Sequence, residues 1–118
     1  METLEQMAEA ALARDSLRLR SLVQDWVRSG IPTESLPCPK PAEANILAVS
    51  AALAELLALR QGQLPPAWTQ EIGALAEPFF LVASAASMKH LRALCEAQSP
   101  EPLRKRRLYA PPHFLEFA

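Results

Sequence analysis

Apolar residues recur at three- and four-residue spacing in the first part of the chain, at Leu12, Leu19, Leu22, Val23, Trp26 and Val27. Arg14, Arg18, Gln24, Asp25 and Arg28 fall mainly between them. That period is one stripe of an amphipathic helix, its apolar side inward and its charges in water. Neither Pro nor Gly interrupts residues 1–29, and Gly30 supplies the stop. Asp15-Ser16 offers a second start, so the region reads either as two helices or as one with a frayed first part. From Ala44 to Leu59 the pattern changes: Ile46, Leu47, Val49, Leu53, Leu56, Leu57 and Leu59 leave only Asn45, Ser50 and Glu55 as polar breaks. A helix that is apolar on every side is a central one. Its many alanines let neighbours approach closely, Gly62 ends it, and the amino-terminal helical region is expected to pack on it as an antiparallel hairpin.

Between these helices, residues 31–42 carry Pro32, Pro37, Pro39 and Pro41. Each proline removes a backbone donor and constrains the residue before it, so this stretch is a connector. Leu64-Pro65-Pro66-Ala67-Trp68 suits the first turn of a short helix through about Leu75. Glu77 to Val82 is a dense apolar patch, open between extended chain and the lead-in to a further helix. That helix is expected from about Ser84 to Ala97, with Ala85, Met88, Leu91, Leu94 and Cys95 inward and Lys89, Arg92 and Glu96 outward. Ser99-Pro100-Glu101-Pro102 stops it and starts one more turn across Leu103 to Arg106. These assignments leave little room for a sheet. They predict an all-α fold, a compact bundle of four or five helices with proline-rich connectors and a docked aromatic carboxyl-terminal tail.

At 118 residues the chain suits one domain with a single core, divided into a helical region 1–30, the connector 31–42, and a core helix with its carboxyl-terminal region over 43–118. Half of the residues are hydrophobic and 21% are charged, which excludes general disorder. A formal net charge of -1 gives no overall pull toward nucleic acid or anionic lipid, so any such attraction must be local. With no secretory signal pattern and no long apolar run free of charge, the expectation is a cytoplasmic chain without a membrane partner. Cys38 and Cys95 are too far apart for a metal or redox motif and are expected to be free thiols, Cys95 in the core.

The local charge feature is Arg104-Lys105-Arg106-Arg107, and from Ser84 to Tyr109 there are six basic residues against two acidic ones. Such a run is either a solvated turn or a contact for phosphate or carboxylate groups, and arginine's planar fork suits both anions. His90 and His113 have no second histidine or carboxylate at metal-ligand spacing, and no nucleophile accompanies them. No enzyme, metal or cofactor is therefore expected. Trp68, Phe79, Phe80, Tyr109, Phe114 and Phe117 crowd the carboxyl half. They either knit loops onto the core or form an anchor patch for a partner. A homodimer is a further expectation, since burying Phe114, Leu115 and Phe117 is worth about 1.5–3 kcal/mol each before ordering costs.

Taken together, Pro65-Pro66-Ala67-Trp68-Thr69, Glu77-Pro78-Phe79-Phe80, Leu91-Arg92-Ala93-Leu94, Pro100-Glu101-Pro102-Leu103-Arg104 and Leu108-Tyr109-Ala110-Pro111-Pro112-His113-Phe114-Leu115 form a spaced signature over residues 64–118. It resembles one found in small bacterial antitoxin-like proteins, and in the carboxyl-terminal parts of some bacterial helix-turn-helix regulators, that accompany nucleotidyltransferase-like partners. The resemblance implies a protein-interaction role, with a nucleotidyltransferase-like toxin as the partner to be bound and occluded. The chain departs from the regulators in showing no DNA-reading segment before the signature. The positions expected to meet a partner are Trp68, Phe80, Arg104, Arg106, Arg107, Tyr109, His113 and Phe114. The alternative is a small nucleic-acid-binding or regulatory protein that uses the Arg104–Arg107 turn.

Overall fold

The computed structural model describes residues 3–39, 43–82, 88–112 and 114. Five α-helices and one pair of very short strands make up its regular structure: α1 Thr3–Leu12, α2 Ser16–Ser29, α3 Ala44–Gln61, β1 Phe79–Phe80, α4 Lys89–Gln98, α5 Glu101–Arg104 and β2 Leu108–Tyr109. Two 3-10 turns, Thr33–Ser35 and Ala67–Glu71, stand in the connectors. The fold is mainly helical and built around one core, as the hydrophobic pattern predicts.

The first helical region is two helices. Asp15 caps α2 by accepting a hydrogen bond from the Arg18 amide at 3.1 Å, which relieves one of the helix's unpartnered amino-terminal donors. The break just before it is a left-handed residue, Arg14 at φ 57°, with the Asp15 amide turned back to the Ala10 carbonyl at 2.9 Å. That is the helix-ending geometry usually given to glycine. The consequence for packing is that α1, rather than α2, is the principal helical neighbour of α3. Leu4, Met7, Ala8, Ala10 and Ala11 are buried, so the stretch that the periodicity leaves open to fraying belongs to the core. From α2 the core receives Leu19, Val23 and Trp26.

Every residue of α3 from Ala48 to Ala58 is buried. By length and composition this helix could also cross a membrane, but here it is enclosed by α1, α5 and both 3-10 turns. It ends at Gly62, φ 65°, where the Gln63 amide reaches back to the Ala58 carbonyl at 2.8 Å. Nothing lies within 4 Å of a Cβ added at Gly62, so Gly62→Ala carries the cost of the left-handed backbone alone. The expected loss is about 1 kcal/mol, read as a lower urea midpoint with an unchanged slope. The connector is tied to the end of α3 through Thr33, whose hydroxyl donates to the Leu64 carbonyl at 2.6 Å and whose amide donates to Gln63 Oε1 at 2.9 Å. Trp68 holds the other end of this region, its indole Nε1 donating to the Leu36 carbonyl at 2.9 Å.

One open reading is resolved and two expectations need correction. The apolar patch after Glu77 resolves as extended chain, and β1 pairs in parallel with β2, Phe79 opposite Leu108 and Phe80 opposite Tyr109. Strands of two residues are too short to leave an alternating pattern, which is why the sequence gives no sign of them. The region expected to be helical to about Leu75 closes after one 3-10 turn at Glu71. The helix before Ser99 is described from Lys89, and of its expected inward residues only Cys95 is buried; Leu91 is intermediate, Met88 and Leu94 are exposed, and Ala85 lies outside the described residues. This helix therefore lies at the edge of the fold.

Candidate functional site

The basic run divides according to what each side chain meets. A single turn of helix, α5, carries the chain into it, and Arg107 then takes a left-handed conformation, φ 62°, that aims the next two residues into β2. The turn sends Arg106 inward, where it is 2% exposed. Its Nη1 and Nη2 donate to the two oxygens of Glu55, at 2.9 and 3.0 Å. The remaining donors go to the carbonyls of Pro102 at 3.0 Å, Thr69 at 2.9 Å and Ile72 at 3.2 Å. All five N–H groups of the guanidinium are thus used. Lys105 adds a third contact to Glu55, Nζ to Oε1 at 2.8 Å.

Glu55 is the sole charged residue on the buried face of α3, and it is 7% exposed. Burial by itself would push its carboxyl up, since the charged form loses water. Hydrogen bonds from Arg106, Lys105 and Thr69 together outweigh that and bring it from 4.5 to about 2. Glu55 is therefore ionised at neutral pH and joins α3, the 67–71 turn and α5 at one point. Arg106, expected among the residues that meet a partner, belongs instead to the interior.

The two left-handed arginines act as a pair of clamps on the segment around β1. Arg107 Nη1 donates to the Ala76 carbonyl at 2.6 Å, and Arg14 Nε donates to the Phe80 carbonyl at 2.9 Å. A left-handed arginine costs about 1–2 kcal/mol that glycine would not incur, and here each gains a side-chain bond to backbone in return. Between the clamps, the amides of Phe79 and Leu81 donate to the carbonyls of Arg107 and Tyr109, each at 2.9 Å. On the far side of β2 the Ala110 amide is met by the Ser99 hydroxyl at 2.9 Å. Arg14 thus meets the Phe80 carbonyl and Ser99 the amide that follows β2, and beyond these groups the short pair offers its side chains.

Those side chains form an aromatic strip. Phe80 and Tyr109 are half-buried partners across the pair, ring centroids 5.3 Å apart and tilted by 33°. The Arg92 guanidinium lies over the Phe80 ring at 5.1 Å from its centroid, while its Nε also pairs with Glu96 at 3.2 Å. Cation–ring contacts at such exposed sites are worth about 0.5–1 kcal/mol, and they hold the guanidinium in place. Arg104 and Arg107 are exposed nearby in sequence. Aromatic rings beside arginines are the composition that carries most energy at protein interfaces.

Of the other residues singled out in the sequence, Trp68 is half-buried against the core with its N–H committed to Leu36, which makes it part of the fold's own packing. Phe114 also packs against the core, and the Pro112 and Phe114 carbonyls both accept from Arg60 Nη2, at 2.9 and 3.1 Å. The tail is thus docked at least as far as Phe114. His113, Leu115 and Phe117 lie outside the described residues. His90 is exposed on α4, and among the described residues no three His, Cys, Asp or Glu side chains converge as a metal site would need. Both cysteines are free, and burial pushes the Cys95 thiol up.

Sequence reasoning passed over Glu55, Arg14 and Arg92 as site-forming residues. Glu55 did leave a signal, because a lone carboxylate in an otherwise apolar helix requires a buried cation. Arg14 left none, since its role depends on a left-handed backbone that nothing in its own residue type announces. Compared with protein-family models, curated proteins and solved structures, the chain matches none of them.

Proposed function

We propose that the chain is a protein-interaction module, the antitoxin-like member of a bacterial two-protein system, which binds and occludes a nucleotidyltransferase-like partner. The observation that carries this reading is the half-buried Phe80–Tyr109 pair with Arg92 stacked on it, while the other aromatics among the described residues, Trp26, Trp68, Phe79 and Phe114, lie in or against the chain's own core. Phe80 and Tyr109 supply apolar anchors. Arg92, Arg104 and Arg107 supply cations at the rim for carboxylates of a partner's active site, which steers encounter and fixes orientation. Arg106 takes no part, because its donors are all engaged inside.

The nucleic-acid reading of the same turn has less support. Arg106 is buried on Glu55, and Lys105 is paired with the same carboxylate, so two of the four cations are engaged within the fold and one unit of their charge is cancelled there. Phosphate binding scales with the number of cations free to displace counterions.

The reading is tested by adding the purified full chain to the nucleotidyltransferase-like enzyme produced from the same cells and measuring nucleotide transfer. The expected result is stoichiometric inhibition, relieved about tenfold or more by Tyr109→Ala, because a central aromatic anchor is worth about 2 kcal/mol or more. Full activity of the enzyme in excess wild-type chain would remove the proposal.

A further inference from the structure

A concavity lies between the end of α1, the start of α2, the residues after β1 and Phe114. It is a groove of about 190 Å3. Ala10, Leu19 and Leu81 form buried parts of its lining, and Val82 and Phe114 stand beside them. Its polar lining residues are Arg14, Asp15 and Ser16. Asp15 directs its carboxylate to the Arg18 amide at the start of α2, and so its charge is engaged by the helix end.

Arg14 is different. Its guanidinium is fixed from two sides, by the Nε bond to the Phe80 carbonyl and by the Phe79 ring 4.7 Å from Cζ. Its Nη groups, four of the five N–H donors, have no hydrogen-bond partner among the described residues. A cation placed in advance, beside an apolar hollow, recognises an anion joined to an apolar body. The size of the hollow limits that body, since apolar cavities of about 150 Å3 hold a benzene ring.

We infer that this groove binds a monocarboxylate with an apolar tail of about six to eight carbons, the tail against Leu19, Leu81 and Phe114 and the carboxylate on the Nη groups of Arg14. The lining of the site includes none of the Phe80, Tyr109 and Arg92 side chains, and the inference does not depend on the partner-binding proposal. Octanoate has the required chemistry, and octan-1-ol offers the same tail without the charge.

The test is methyl-detected NMR of the full-length chain titrated with each compound. Saturable shifts centred on the Leu19, Leu81 and Val82 methyls are expected with both, with octanoate the tighter. Arg14→Gln should weaken octanoate about tenfold and leave octan-1-ol unchanged, as loss of one charge-assisted contact requires. Because Arg14 also clamps β1, the wild-type chain provides an independent readout: added salt should weaken octanoate and not octan-1-ol. Absence of saturable octanoate shifts overturns the proposal. So does an octanoate affinity indifferent both to salt and to Arg14→Gln.

Discussion

Arg106→Met destabilises the fold by about 3–5 kcal/mol, the cost of leaving a buried carboxylate without its partner. The physical reason is one-sided. Methionine matches the apolar stem of arginine and fills the space, so little of the loss is a cavity effect. What remains is Glu55, 7% exposed on α3, with the half-exposed Lys105 as its paired cation and Thr69 as a neutral donor, while the Thr69, Pro102 and Ile72 carbonyls lose their donor. Domains of this kind have about 5–15 kcal/mol of stability in total, so the variant is expected to lose much of its cooperative urea transition or all of it. Two controls separate the ion pair from generic damage. Arg104→Met, on an exposed side chain, should shift stability by no more than about 0.5 kcal/mol. Glu55→Leu combined with Arg106→Met removes both charges together and should recover most of the loss, because well-packed apolar replacements of buried pairs are often neutral or better. Equal effects at Arg104 and Arg106 would contradict the inward placement of Arg106.

The same carboxylate governs the acid limit of the fold. Glu55 stands at about 2 in the folded chain against an ordinary 4.5, so on lowering the pH the unfolded chain takes up the proton first. Its contribution is complete above about 4.5, declines as the pH falls from there, and is exhausted below about 2. The drop from 4.5 to about 2 corresponds to about 3 kcal/mol. Urea titrations at pH 6, 4.5, 3 and 2 should show this decline in the wild-type chain. In Glu55→Gln the fold should be weaker at pH 6 and should lose correspondingly less between pH 4.5 and 2. A wild-type stability that stays flat down to pH 2 would show that the pair contributes nothing.

The sequence disclosed most of the helical frame for reasons that are local. α3 is legible because seven large apolar residues and six alanines make a helix with no polar face. Gly30 and Gly62 mark helix ends because their left-handed φ is favoured by that residue type. Asp15 is legible as a cap because its carboxylate can accept from the amide three residues on. What stayed hidden depends on long-range partners. The basic run looks uniform in sequence, yet one of its members is tied to a carboxylate 51 residues away and another to the Ala76 carbonyl 31 residues away. The β1–β2 pair is set by backbone bonds between segments that individually carry no strand pattern. The aromatic strip follows from that pairing, so Phe80 and Tyr109 can be singled out from the sequence as aromatics but not placed side by side.

Arg14 and Arg107 illustrate a further limit. Each occupies a helix-ending position that glycine usually takes, and each reaches back to a carbonyl beside or within β1. Composition and periodicity treat both as solvated surface charge. Their role appears only once backbone conformation and side-chain reach are considered together, which is the level at which the candidate site is built.

In the proposed role the outward face of β1 and β2 holds a protein partner while Arg106 holds the fold together. The most direct measurement is recovery of the nucleotidyltransferase-like partner on the tagged full-length chain, comparing wild type with Tyr109→Ala, each shown by circular dichroism to keep its helical content. A stoichiometric partner is expected on the wild-type chain, and its loss from Tyr109→Ala at unchanged fold. Equal recovery of that partner by both chains, or none by either, would contradict it.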